Sequence, residues 1–520
     1  MLEENDLEFA ARHIQRYYDT DFFPKHMGFE ALWPNWEEVK RLILGANVAE
    51  LPLSTPRILP WPKARGGYRV VHQLDPVSAI VYTAAAHSVA SRIEAARIQR
   101  HERVACSYRI SIADGSFFEL GTGYDSFRTA SSDHSEKYAY VLLTDITDFY
   151  NQIYVHRVAN AIATSEPRNA KRANEIEQLL MIWNSKSSQG IPVGPAASIL
   201  MSEAVLIDVD HFIQSRGLVH TRYVDDFRIF SDSKSKLQSA LRELTTYLYE
   251  VHRLNLSGEK TKILKSVDFA KESIHNQYEL EKVQIFEGIA EVANPYTQEV
   301  EEAVVELGRE DALTVLTGLL KRVLGLPTLD LGLARAILRK ARGLQLYEMV
   351  PDVAVNAERL LPVINDVFLY FAEAIPSWSR PEDMQPLARL ATSSLVEEPA
   401  FATWMEWMLT KAPMYLDVPE LARYLDQHAS CLGKARVAVI RRNIAWVREM
   451  RLKYFDLPIS DRLAVILASP ILAIEEREPF LKRIGQQGSG ATQLERWYAK
   501  VALAGGISHE FADPSADLPF

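Results

Sequence analysis

Three aspartates stand where apolar chain surrounds them. Asp145 ends the run Leu142-Leu143-Thr144-Asp145 and is followed by Ile146-Thr147-Asp148-Phe149-Tyr150, while Asp225 and Asp226 sit inside Arg222-Tyr223-Val224-Asp225-Asp226-Phe227. Between them lies Gln189-Gly190-Ile191-Pro192-Val193-Gly194-Pro195, a Gly/Pro loop that opens onto the apolar stretch from Ala196. An unpaired carboxylate beside a buried strand is costly, so two such places in one chain ask for a reason. Phosphoryl transfer supplies one. Joining a hydroxyl to a nucleotide α-phosphate needs an activated oxygen, a stabilised pentacovalent centre and a neutralised pyrophosphate. Two Mg²⁺ ions roughly 3.5–4 Å apart meet all three needs, and Mg²⁺ prefers carboxylate oxygens, waters and substrate phosphates as ligands. Taken singly, an Asp-Asp pair reads as a solvated turn and the Gly/Pro stretch as a loop. Their order along the chain carries the case.

The elements that must position these residues are legible in outline. Tyr140 to Leu143 and His220 to Val224 read as strands, and Ala196 to Phe212 and Leu237 to His252 as helices. Strands and helices in mixed order predict an α+β domain over 1–290. From Gln298 to Ala504 the period is helical, interrupted by Pro327, Pro351, Pro376, Pro413 and Pro470. Residues 291–520 are therefore expected to form an all-α domain, either stacked HEAT-like helical hairpins or an irregular bundle.

With 520 residues, 48% hydrophobic and 24% charged, the chain is in the range of globular proteins large enough for more than one core. No apolar run approaches the roughly 18 residues of a membrane helix, and the acidic start Met1-Leu2-Glu3-Glu4 is unlike a secretory signal. Two distant cysteines, Cys106 and Cys431, make no disulfide framework, so a reducing cytoplasm is expected. A net charge of −10 argues against coating long duplexes and for a small nucleic-acid footprint.

The three stretches resemble, in order, motifs A, B and C of reverse transcriptases, Tyr223-Val224-Asp225-Asp226 standing where that family has its Tyr-x-Asp-Asp box. Leu254 to Lys262 is similar to motif D, Lys63-Ala64-Arg65-Gly66-Gly67-Tyr68-Arg69 to the basic fingers hairpin, and Phe286-Glu287-Gly288 is the candidate for motif E. The resemblance implies a fingers/palm domain, with Asp145, Asp225, Asp226 and the Ile146 carbonyl as ligands of two Mg²⁺ ions, Mn²⁺ being an alternative. Tyr150 falls where the family keeps an aromatic gate against the ribose 2′-hydroxyl, favouring dNTPs; a core aromatic is the other reading. Gln189 and Gly190 would lie beside the nascent base pair. Lys260 would protonate the pyrophosphate or be a surface lysine, and Arg65 and Arg69 would grip phosphates or sit on a solvated hairpin.

Asp145-Ile146-Thr147-Asp148-Phe149-Tyr150-Asn151-Gln152-Ile153-Tyr154-Val155-His156, with an all-helical second half, is similar to the bacterial abortive-infection (Abi) polymerases of the prophage-encoded type. That resemblance implies antiphage defence, a homo-oligomer, and untemplated synthesis of single-stranded DNA attached to a tyrosine. Tyr17 and Tyr18 are the candidates for priming, with Tyr68 next. Two alternatives stay open: an RNA-templated reverse transcriptase of another defence system, and a catalytically degenerate oligomeric scaffold. Arg423 and His428 fit the Arg-x4-His pattern of HEPN ribonucleases or an ordinary solvated helix face.

Overall fold

The computed structural model describes residues 2–44, 46–119, 121, 123–185, 187–271, 309–378 and 380–506. The expected boundary at 290/291 and the motif E candidate Phe286-Glu287-Gly288 lie outside them. The fold is α+β, with strands confined, among the described residues, to the first half.

The central sheet has four antiparallel strands in the order β6 (Val219–Tyr223), β7 (Asp226–Ser231), β5 (Tyr140–Asp145), β8 (Lys262–Lys265). Its middle strands are rich in Val, Ile, Leu and Phe, which suit a pleated surface covered by neighbours. Val141, Leu142, Phe227, Ile229 and Phe230 are all buried. The long helices Pro76–Ala96 and Ala196–Ser215 belong to the same core and pack on each other. Pro76 at the first helical position and the Asp75 carboxylate, accepting from the Val77 and Ser78 amides, start the first of them. The helix expected over 237–252 is divided: Lys234–Tyr247 is α-helical and Leu248–His252 a π-turn.

Two further hairpins flank this sheet. β1 (Arg57–Pro62) pairs with β2 (Tyr68–Gln73), and β3 (Ile110–Ala113) with β4 (Ser116–Phe118). The β1–β2 hairpin buries Leu59, Trp61 and Val71 in a core otherwise built from Phe23 and helical residues between Ala312 and Ala429. Those helices form two layers. Leu331–Gly343, Ile364–Glu373 and Pro399–Leu409 pack in succession, as do Val350–Val355, Gln385–Ala391 and Pro419–His428. The last helices return to the first core, into which Tyr454, Leu463, Leu481, Trp497 and Tyr498 are packed. Trp497 donates its indole N–H to Glu38 at 3.0 Å, so the chain's described end is fastened near its beginning. Among the described residues no helix is long and apolar enough to cross a membrane.

Candidate catalytic carboxylates

The antiparallel register of β5 and β7 places Asp145 directly opposite Asp226. Side chains so paired share a face of the sheet, and like charges in that position repel. Asp225 joins them because β6 and β7 are linked by a two-residue turn, Val224-Asp225. Val224 has φ +53°, while Asp225 is not left-handed, the pattern of a type II′ hairpin turn that normally has glycine first. A β-branched residue there is strained by about 1–3 kcal/mol, and the surroundings must hold it. Its amide donates to Ser107 Oγ at 2.9 Å, its carbonyl accepts from Arg222 Nη1 at 3.2 Å, and the Asp225 carbonyl accepts from the Ile146 amide at 3.2 Å.

The segment after Leu254 closes the other side. Ser257 donates its amide to the Asp145 carbonyl at 2.8 Å, Thr147 to the Asn255 carbonyl at 2.9 Å, and the Thr144 and Thr261 hydroxyls meet at 2.7 Å. This arrangement brings the half-exposed Lys260 ammonium to 2.7 Å from Asp145 Oδ2. Burial, and then the Asp145 charge, push the Asp225 carboxyl up to about 7. Burial pushes Asp226 up to about 6, against the pull of Arg228, Lys260 and Arg65. Desolvation thus outweighs the cations at hand, and the site favours additional positive charge.

That is the fit expected of a divalent ion, and the donors are the hard oxygens Mg²⁺ takes. Among the described residues no three His, Cys, Asp or Glu side chains are gathered closely enough to hold a metal ion by themselves. An open set remains compatible, since Mg²⁺ usually keeps waters and binds through one or two carboxylates plus substrate phosphates. Asp145, Asp225 and Asp226 would hold it, with Lys260 presently against one of them.

Tyr150, Gln189 and Gly190 lie together, through the segments 150–154 and 189–191. The Tyr150 carbonyl accepts from Ile191 at 3.0 Å and the Gly190 amide donates to Ile153 at 2.8 Å. The Tyr150 hydroxyl, half-buried, accepts from Ser202 Oγ at 3.2 Å. Gln189 turns its side-chain amide to Gln152 Oε1 at 2.7 Å. Gly190 has φ +98°, a conformation that excludes other side chains at low cost. Asp148, exposed, accepts from Asn151 Nδ2 at 2.9 Å.

Arg65 and Arg69 are exposed on the β1–β2 hairpin, and the Arg65 charge reaches Asp226. Arg69 lies across from Trp61. Tyr17 and Tyr18 are buried and line a small cavity with Gly194 and Ala196. The Tyr18 hydroxyl donates to the Pro24 carbonyl at 3.3 Å and accepts from Gln73 Nε2 at 3.1 Å. In this conformation neither phenol is presented to solvent. Tyr68 is exposed, its hydroxyl donating to Glu398 at 2.9 Å. Arg423 and His428 are both exposed on their helix, where His428 stacks on Tyr424 at 5.1 Å.

Sequence reasoning passed over a charged network under the turn. Arg222 makes two 2.8 Å bonds to Asp210 and lies 2.9 Å from Glu203, which Arg97 approaches at 2.9 Å; all four are buried. The signal was available: Glu203 and Asp210 fall on the buried face of a largely apolar helix, and Arg222 precedes the turn within a buried strand. Arg228, two residues beyond Asp226 on β7, was missed in the same way.

Residues 62–275 match the family model described as reverse transcriptase (RNA-dependent DNA polymerase). No curated protein sequence matches the chain. Among solved structures it is similar to telomerase from Candida albicans in complex with the TWJ fragment of telomeric RNA, at 11% identity and TM-score 0.32, over 74% of this chain and 70% of that one. It is also similar to apo telomerase from Candida tropicalis, at 13% identity and TM-score 0.32, over 73% and 74%. Likeness at that level is distant and carries no functional argument.

Proposed function

We propose, from the premise that residues 62–275 are a reverse-transcriptase-type domain, that the chain is a nucleotidyltransferase adding dNTPs to a growing DNA strand. The observation that carries this reading is Asp145 opposed to Asp226 across β5 and β7, with Asp225 in a pinned turn beside them. Two Mg²⁺ ions, or Mn²⁺, held by these carboxylates and the Ile146 carbonyl would activate the attacking hydroxyl and neutralise pyrophosphate charge. In the transfer, the hydroxyl gives up its proton to solvent, its oxygen bonds to the α-phosphorus and the bond to the pyrophosphate oxygen breaks. Lys260 carries the proton that the pyrophosphate accepts, a role suited to a cation already at the site. Tyr150 excludes the 2′-hydroxyl, Gln189 and Gly190 border the nascent base pair, and Arg65 and Arg69 meet the triphosphate from the docked hairpin.

The finer reading is an Abi-type polymerase of antiphage defence, cytoplasmic and homo-oligomeric, whose HEAT-like helical half serves assembly and whose DNA starts on a tyrosine without a template. Its support is the motif A stretch, the two-layered helical half and the low net basicity. Priming from Tyr17 or Tyr18 requires the segment around them to leave its buried place, whereas Tyr68 is already exposed on the hairpin. The test is incubation of the pure chain with each labelled dNTP and Mg²⁺, without template, followed by denaturing gels before and after protease. A ladder whose mobility changes with protease is expected. Product that appears only with added RNA would favour the templated alternative, and no incorporation under any condition would overturn the polymerase reading.

A further inference from the structure

We propose that Ser107 and Glu203 are positioning residues that hold the Val224-Asp225 turn in its left-handed conformation and thereby aim Asp225 at the reacting centre. The proposal rests on the nucleotidyl-transfer reading of the carboxylates and goes beyond it by assigning how their geometry is kept.

Val224 is a β-branched residue at φ +53°, a conformation that persists only where the surroundings over-determine it. Both its peptide groups are held, the amide by Ser107 Oγ and the carbonyl by Arg222. The Ser107 hydroxyl has one proton, and it is donated to Glu203 Oε1 at 2.7 Å. That fixes the hydroxyl's lone pairs toward Val224, so the bond to the turn has a set direction. Glu203 is held in turn by Arg97 and Arg222, each at 2.9 Å, and the paired charge of Asp210 balances the second guanidinium. Ser107 and Glu203 are fully buried.

A neutral set of four buried charges is a poor device for stability, since well-packed apolar residues often serve as well. It is a good device for fixing one geometry. The segment carrying Ser107 is itself locked to β6: Cys106 donates its amide to the Arg222 carbonyl at 3.1 Å, and Arg222 donates to Val104 at 2.8 Å. Gly123 lies against this segment so closely that a Cβ there would come within 2.0 Å of the Cys106 carbonyl. The hydroxyl, the turn and the buried carboxylate therefore move as one unit.

The test uses the full chain and three readouts: amide hydrogen exchange over 223–227, Mn²⁺ affinity by electron paramagnetic resonance, and the kcat and KM of dNTP incorporation. Ser107→Ala is expected to raise exchange at the turn by about tenfold, the order of one net hydrogen bond. It should also weaken Mn²⁺ binding and lower kcat by about tenfold, with KM changed little. Val224→Gly removes the strain that Ser107 opposes, so adding Ser107→Ala to Val224→Gly should cost almost nothing further. If Ser107→Ala does not fold, Ser107→Cys, which keeps the shape but accepts weakly, is measured in the same way. Wild-type exchange and kcat in the Ser107 variant would overturn the proposal, as would an equal loss from it in the wild-type chain and in the Val224→Gly background. A wild-type chain that incorporates nothing would refute the polymerase reading, and the exchange readout would still decide whether Ser107 holds the turn.

Discussion

Replacing Trp61 by Ala tests how the fingers hairpin is held. A two-stranded hairpin alone is marginally stable in water, and β1–β2 gets its fixed position from the helical half. Trp61 is 2% exposed, donates its indole N–H to the Pro362 carbonyl at 3.1 Å and meets Phe22 edge-on at 5.1 Å. Buried Trp→Ala changes cost about 3–5 kcal/mol, hydrogen-bond loss included. At about 1.4 kcal/mol per decade, the undocked hairpin should become roughly two to three and a half orders of magnitude more populated. Leu59 and Val71, buried in the same core, are the hairpin's other apolar anchors, while Arg57 to Thr403 Oγ1 at 3.4 Å and Tyr68 to Glu398 are exposed and add little. Limited trypsin digestion reports the change, because Arg57 and Arg69 lie within paired strands and are cleaved only from an opened hairpin. Cleavage at both should accelerate about a hundredfold or more, and the KM for dNTP should rise as Arg65 and Arg69 lose their placement. Unchanged cleavage in a variant whose overall unfolding is measurably easier would refute the idea that the helical half holds this hairpin.

Asp19 is buried, and burial pushes its carboxyl up to about 7. A folded-state value above the unfolded one means the folded chain binds more protons between about pH 4 and 7, so stability falls as pH rises through that window; Asp19→Asn, which still accepts the Leu74 amide, should flatten the fall in a denaturation series, and an unchanged slope would assign it to other groups. Tyr150→Ala should raise rNTP use relative to dNTP use by about tenfold or more, roughly 1.4 kcal/mol per decade. Unchanged selectivity would reduce Tyr150 to a ring that packs beside Ser202. Intact-mass measurement after incubation with one dNTP should find the chain heavier by nucleotide increments, and peptides bearing them should contain tyrosine. Free DNA with an unmodified chain would remove protein priming.

The carboxylates were legible because their signal is local. An apolar run that ends in Asp145 and a Tyr-Val-Asp-Asp turn declare strand ends whatever the rest of the chain does, and the register of β5 with β7 then places Asp145 against Asp226. The strand expected over 220–224 is Val219–Tyr223, with Val224 already in the turn. A β-branched residue at positive φ runs against local preference and is set by Ser107, far off in sequence. The docking of Trp61 among the helices and the return of Trp497 to the first core are likewise long-range, and helical periodicity says only that a face is apolar, not what covers it. Glu203, Asp210 and Arg222 were visible as charges in apolar stretches, but their pairing needed the helix Ala196–Ser215 laid against β6. Tyr17 and Tyr18 stand out in the sequence by their place beside Arg16 and ahead of Phe22-Phe23, which says nothing of burial, and the fold buries both.

The measurement that tests the central claim most directly is labelled dNTP incorporation in Mg²⁺ by the wild-type chain and by Asp225→Asn/Asp226→Asn, each first checked for its fold by circular dichroism. The account predicts DNA product from the wild type and none from the folded double variant. Product from that variant at more than a few per cent of wild type would contradict it.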